Sequence, residues 1–219
     1  MTLFDEALTL APGLGTVRTP VRRDFSIAQL KLIRRSVCRQ CEEAEFDEFV
    51  AVAGQCGLDP LRRQIAPLII HANDPARRRL IPWATIDGLR LIAARQGDYR
   101  PMERPPKIDQ DVAVKDADRN PLGLIRAEVC AWKFRDGAWF EVAGEAWWDE
   151  FAPLKPAKDE PSDAPTIEGA SQVLDPTWRR MGRTMLAKCA EAQALRRGWP
   201  DVISGLYGEE ELHALRSIE

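Results

Sequence analysis

This chain of 219 residues is poor in the residues that most enzymes build chemistry from. Histidine occurs twice, at His71 and His213, in unrelated contexts and in no recognisable nucleophile motif. None of the fourteen glycines is followed by lysine, so no GxxxxGK[ST] loop exists to cradle a nucleotide's phosphates. No lysine has Asp or Glu two positions before it, which removes the common restriction-like nuclease pattern. Zinc is also poorly served. Cys38 and Cys41 form a single CxxC with no second CxxC or His pair to complete four ligands, so a structural role is expected for them. No apolar run approaches the ~20 residues needed to span a bilayer, and a membrane partner is not expected. The first fifteen residues lack a basic start followed by a long apolar stretch. With five cysteines, an odd number, this points to reduced thiols in the cytoplasm. No internal repeat is found. A catalytic role, a cofactor and a metal are therefore not expected.

What the chain does have is one strongly basic segment. Residues 178–199, WRRMGRTMLAKCAEAQALRRGW, carry Arg179, Arg180, Arg183, Lys188, Arg196 and Arg197 against the single acid Glu191, a local charge of +5. Residues 141–175 carry −7 and residues 201–219 carry −4, in a chain of net charge −3. A basic helix between two acidic stretches suggests a placed polyanion site; the plainer alternative is a surface helix whose arginines keep it soluble. At about 100° per residue, Arg179, Arg183 and Arg197 fall together, bordered by Arg180, with Ala187, Ala190 and Ala194 between them. Small residues there would let a phosphate backbone approach closely. Met181, Met185, Ala192, Leu195 and Trp199 form the opposite, core-seeking face. Lys188 and Arg196 fall on or beside that apolar face. They either snorkel from it or line a second side of a groove.

The rest of the chain reads as alternating helices and hairpins. Residues 1–24 lack periodicity and end in a cluster of Arg18, Arg22 and Arg23, as a flexible arm would. Ser26 caps a helix expected over IAQLKLIRRSVCRQC, and AEFDEFVAVAGQC is a second helix ended by Gly57, with Phe46, Phe49, Val50 and Ala53 facing the core. RQIAPLIIHAND and RRRLIPWAT read as two strands joined by a loop that holds Arg77, Arg78 and Arg79. Those arginines suit either a DNA-facing or subunit-facing finger or a solvated tip that discourages edge pairing. Asp87 and Gly88 open another helix, with Asp87 read as its N-cap. LIRAEVCAWKF and AWFEVAGEAWW flank an Arg135-Asp136-Gly137 turn, the clearest hairpin in the chain. Trp132, Trp139, Phe140, Trp147 and Trp148 could stack on bases, but alternation in strands favours core and cross-strand packing. Residues 152–176 are acidic and proline-rich, and are expected to form a mobile loop.

Three blocks, in order, carry a resemblance. GLDPLRRQIAPLI, then WATIDGLRLIAARQGDYRP, then MLAKCAEAQALRRGWP followed by GLYGEEEL, resemble the RecT/Redβ (Bet) family of phage recombination proteins. The resemblance spans roughly residues 46–212. It implies an α+β fold, a small antiparallel sheet and hairpins flanked by helices, as in a Rad52-like single-strand annealing core. One core over residues 25–212 is expected, with 213–219 as a C-terminal end. The implied function is ATP-independent binding of single-stranded DNA and pairing of complementary strands into an annealed duplex, by a homo-oligomeric ring or filament in the cytoplasm of a bacterial host cell. Lys188 and Arg196 match basic positions of the family's AK-x-AEA-x-ALR pattern, and Arg183 matches one a turn earlier. Gly182 stands where relatives often have proline. A 5'-3' exonuclease is the implied partner. Relatives recruit host single-strand-binding protein through a segment beyond the acidic helix, whereas the sequence given stops at Glu219. The alternative from another class is a metal-dependent DNA-processing nuclease.

Overall fold

The computed structural model describes residues 21–156, 172–208, 211 and 212. In chain order the first half holds α1 (Ile27–Ser36), α2 (Glu43–Gln55), β1 (Ile65–Ile70), β2 (Arg79–Ala84), α3 (Ile86–Arg95), β3 (Tyr99–Arg100) and β4 (Lys107–Gln110). Then follow β5 (Leu124–Arg135), β6 (Ala138–Trp147), α4 (Trp148–Phe151), β7 (Leu154–Pro156) and β8 (Gln172–Leu174). The chain continues with α5 (Pro176–Gly198), α6 (Pro200–Ile203) and β9 (Tyr207–Gly208). The fold is α+β, with helices and several small, mainly antiparallel sheets, as the sequence led one to expect. Two compact units are present: Met1–Met102 with Ala131–Val142 and Leu195–Glu219, and Glu103–Cys130 with Ala143–Ala194.

In the first unit, Ser26 caps α1 through a reciprocal box: its hydroxyl accepts from the Gln29 N–H, and the Gln29 side chain accepts from the Ser26 N–H. The helix stops at Ser36, earlier than expected, so Cys38 and Cys41 lie in the turn before α2 and not inside a helix. Arg34 explains the early stop. Its guanidinium donates to the carbonyls of Cys38 and Cys41, closing the turn that the helix would otherwise continue through. Both cysteines are buried, and burial pushes both thiols above their ordinary value. A raised thiol pKa makes for an inert thiol, in keeping with a structural role. Phe49 and Ala53 of α2 are fully buried, while Phe46 and Val50 are half-buried. Arg23, expected in the flexible arm, is instead held: its N–H donates to the Gly54 carbonyl, and its guanidinium pairs with Asp59 at 2.8 Å. The remainder of that arm, residues 1–20, lies outside the described residues.

β1 and β2 pair antiparallel from Ile65 opposite Ala84 to Ile70 opposite Arg79, and β9 adds to β2 in parallel at Trp83 and Ala84. Thr85, not Asp87, caps α3, its hydroxyl accepting from the Gly88 N–H. Asp87 sits in the first turn and pairs with Arg90, where its charge suits the positive end of the helix. Gly88 is needed for a different reason: a Cβ there would collide with the Gln64 carbonyl that leads into β1. β3 pairs with β5 at Tyr99–Lys133 and Arg100–Trp132. Trp199 packs edge-on against Tyr99 and donates its indole N–H to Asp98.

In the second unit, β4 pairs with β5 from Lys107 opposite Glu128 to Asp109 opposite Arg126. Trp148 and Trp178 meet edge to face at 5.6 Å, and the Trp148 indole donates to the Arg119 carbonyl. Buried Asn120 is satisfied by both backbone groups of Leu124, as a buried amide must be. The two ends of the acidic, proline-rich segment are not loop: β7 and β8 pair antiparallel from Leu154 opposite Leu174 to Pro156 opposite Gln172. The expected mobile stretch, residues 157–171, lies outside the described residues, as do His213 and the rest of the C-terminal end.

Candidate nucleic-acid interface

α5 is where sequence pattern and packing have to be reconciled. Its backbone leaves helical geometry at Met181 (φ −128°, ψ 30°). That kink turns Met181 outward, 45% exposed, against the expectation that it would face the core. Gly182 sits at the bend because the Trp148 ring lies only 3.1 Å from where a Cβ would be. The other expected core residues, Met185, Ala192, Leu195 and Trp199, are buried.

The alanines of the presumed phosphate face have another purpose. Ala190 and Ala194 are 0% exposed. A Cβ at Gly144 of β6 would collide with the Ala190 carbonyl and the Ala194 backbone. Ala190 and Ala194 therefore admit the backbone of β6. Gly144→Val would destabilise by about 1–3 kcal/mol through overpacking.

The arginines sort by partner. Arg179, Arg180, Arg183 and Arg197 are exposed, while Lys188 and Arg196 are half-buried. In the second unit, Arg183 donates to the Gln110 side-chain oxygen at 2.6 Å, a neutral acceptor that leaves its charge uncompensated. Arg179 lies 3.7 Å from Asp118 in an exposed, weak pair. Among the described residues Arg180 has no hydrogen-bond or ion-pair partner. Arg119, next in the chain to Asp118, is exposed as well. In the first unit, Arg196 is tied down: its guanidinium donates to the Leu206 carbonyl at 2.8 Å and to Glu211. Glu211 also accepts from the Gly208 N–H, so Arg196 anchors the chain around β9.

The loop before β2 shows the same division among three consecutive arginines. Arg77 and Arg79 are exposed, with Arg77 3.2 Å from His71. Arg78 turns inward, its side chain 14% exposed. It makes two hydrogen bonds to Glu45, at 2.8 and 2.9 Å, and donates to the carbonyls of Ala72 and Gln40. The Arg78 hydrogen bonds hold the Glu45 carboxyl below its ordinary value, against the opposing effect of burial. A cleft of about 480 Å³ beside β2 is lined by Glu45, Glu48, Arg78, Arg79 and Tyr207. Its two carboxylates make it a poor seat for phosphate.

The aromatic residues depart furthest from expectation. Trp148 is buried, but Trp139 and Phe140 are 40% and 51% exposed and Trp147 is also exposed, against the core packing anticipated for them. Trp147 lies against the Arg126 guanidinium, which is itself bonded to Asp109 and Glu145. No group of three or more His, Cys, Asp or Glu residues capable of holding a metal ion occurs among the described residues. No helix among them is long and apolar enough to cross a membrane.

Gln110, Asp118 and Arg119 escaped sequence reasoning because nothing in the local pattern ties them to α5. The RecT family model matches residues 23–219. The chain belongs to the RecT family. As a RecT-family chain it is a DNA-binding, single-strand annealing recombination protein, and such proteins are not known as enzymes. No curated protein and no solved structure is matched.

Proposed function

We propose that this chain binds single-stranded DNA through phosphate contacts and anneals complementary strands without nucleotide hydrolysis, acting as a homo-oligomeric ring or filament. The observation that carries this reading is the row Arg179, Arg180 and Arg183. Three guanidinium groups are presented outward: Arg180 and Arg183 have no carboxylate partner among the described residues, and Arg179 has only the exposed Asp118 at 3.7 Å. Arg197, Arg77 and Arg79 are also exposed. Two single strands repel through their phosphates. Cations spaced along an assembly lower that repulsion while leaving base edges free to pair, and binding of this kind is sequence-independent and salt-sensitive. Lys188 and Arg196 match the family's basic positions. For Arg196, phosphate contact requires displacing Glu211, so its first role is to hold the β9 segment. A 5'-3' exonuclease supplying single strands is the matching partner, and host single-strand-binding protein is the protein such strands would carry.

Fluorescence-monitored annealing of complementary oligonucleotides should proceed in nucleotide-free buffer, and a strict ATP requirement would sink the proposal. Labelled DNA incubated with magnesium or manganese should keep its length; shortening would support the nuclease reading instead. Electron micrographs taken after adding complementary oligonucleotides in sequence should show closed rings or filaments.

A further inference from the structure

The tip of the β5–β6 hairpin lies in the first unit and is built on Asp136 and Gly137, both at positive φ (52° and 82°). That two-residue geometry matches the natural strand twist and makes a stiff tip. Just beyond it, Trp139 and Phe140 project from opposite strand faces, and each exposes a large ring. Exposed aromatic rings beside a well-formed turn contribute little to a core. Trp139 is nevertheless oriented: Phe134 meets it edge to face, centroids 5.3 Å apart at 64°. Such a contact occupies at most one face of the indole. The indole is thereby fixed in direction, with Trp139 still 40% exposed.

Two cations neighbour the rings. Lys133 donates to the Gly198 carbonyl, and Arg135 lies 3.3 Å from Asp136. The tip therefore offers flat apolar rings more than charge. A protein partner seeking a contiguous apolar patch would find Arg135, Asp136 and Glu141 interrupting it. A flat, unpaired ring is the better complement, and a single strand held for annealing exposes many. We propose that Trp139, oriented by Phe134, is a stacking platform for an unpaired base of the bound single strand. This inference rests on the annealing reading above and adds a base contact to its phosphate contacts.

The test is equilibrium binding by fluorescence anisotropy with the full chain at several salt concentrations. The probes are a mixed-sequence oligonucleotide and an abasic strand with the same phosphodiester backbone. Trp139→Ala should weaken binding to the base-bearing strand by about fivefold to a hundredfold, the range for one lost base–aromatic stack. Its salt slope and its affinity for the abasic strand should not change, and Trp139→Phe should restore most of the loss. Equal weakening on both strands would overturn the proposal, as would a changed sedimentation coefficient with unchanged DNA affinity, which would make the tip a contact between copies. If Trp139→Ala has no effect while Arg183→Ala weakens binding, the platform falls and the annealing reading stands. If the unaltered protein binds neither strand, the annealing reading itself falls.

Discussion

Arg78 and Arg180 carry the same charge, and each stands in a run of basic residues. Their situations are opposite. Arg78 is folded into its own unit by Glu45 and two backbone carbonyls, whereas Arg180 meets no partner among the described residues. Arg196 and Arg183 repeat the contrast on one helix: one is bonded to a carboxylate and a carbonyl, the other to a neutral amide. The comparison teaches that a basic stretch mixes two populations. One population satisfies the fold, and the other keeps its charge exposed to solvent.

The largest effect should come from Arg78→Ala. It leaves Glu45, itself only 13% exposed, without its guanidinium partner, and it unties the loop before β2. A drop in thermal midpoint on the order of 5 °C is expected by calorimetry. Arg77 and Arg79 replaced together by serine should leave that midpoint nearly unchanged; if all three arginines behave alike, the contrast is broken.

The same pair has a pH signature. Glu45 has a depressed pKa in the folded state, so its contribution to stability is present above the ordinary glutamate value of 4.5 and is lost as pH falls below it. The stability gap between the unaltered protein and Arg78→Ala should therefore narrow as pH is lowered through that acid range. A gap constant from neutral pH down into that range would mean that the ion pair is not what Arg78 supplies.

A smaller loss is expected from Arg196→Ala, about 1–2 kcal/mol in denaturant unfolding, for two charge-assisted hydrogen bonds in a half-buried setting. Its salt dependence of DNA binding should stay fixed. A slope reduced by one phosphate contact would show that DNA displaces Glu211. The smallest effect on stability belongs to Arg183→Ala, within about 0.5 kcal/mol. There the log–log salt slope for single strands should flatten by roughly 0.7, with affinity reduced alike for every sequence. Unchanged binding would place the phosphate path elsewhere.

Much of the local structure was legible because its causes are local. The Ser26 capping box, the stop at Gly57, the Asp-Gly turn of β5–β6 and the alternation of helices and hairpins each depend on residues within a few positions. Errors arose where a particular side-chain contact, and not the periodic pattern, decided the outcome. The helix expected to reach Cys41 ends at Ser36 under the Arg34 guanidinium. Thr85 took the cap assigned to Asp87, a shift of two residues within one turn. Trp139 and Phe140 lie in an aromatic-rich strand pair, yet both stay exposed near the hairpin tip.

The sequence by itself determined the main helices and hairpins and where positive charge is concentrated, because period, turn chemistry and charge are written in neighbouring residues. The family and the α+β class followed from three motif blocks in order. Which charges are available was decided only in three dimensions. Arg78 meets Glu45 across 33 positions, and Arg183 meets Gln110 across 73. The alanines of α5 show the same limit. A helical wheel gives the direction in which Ala190 and Ala194 point, but not that the backbone at Gly144 already fills that space. Direction is a property of the helix. Occupancy belongs to whatever packs against it.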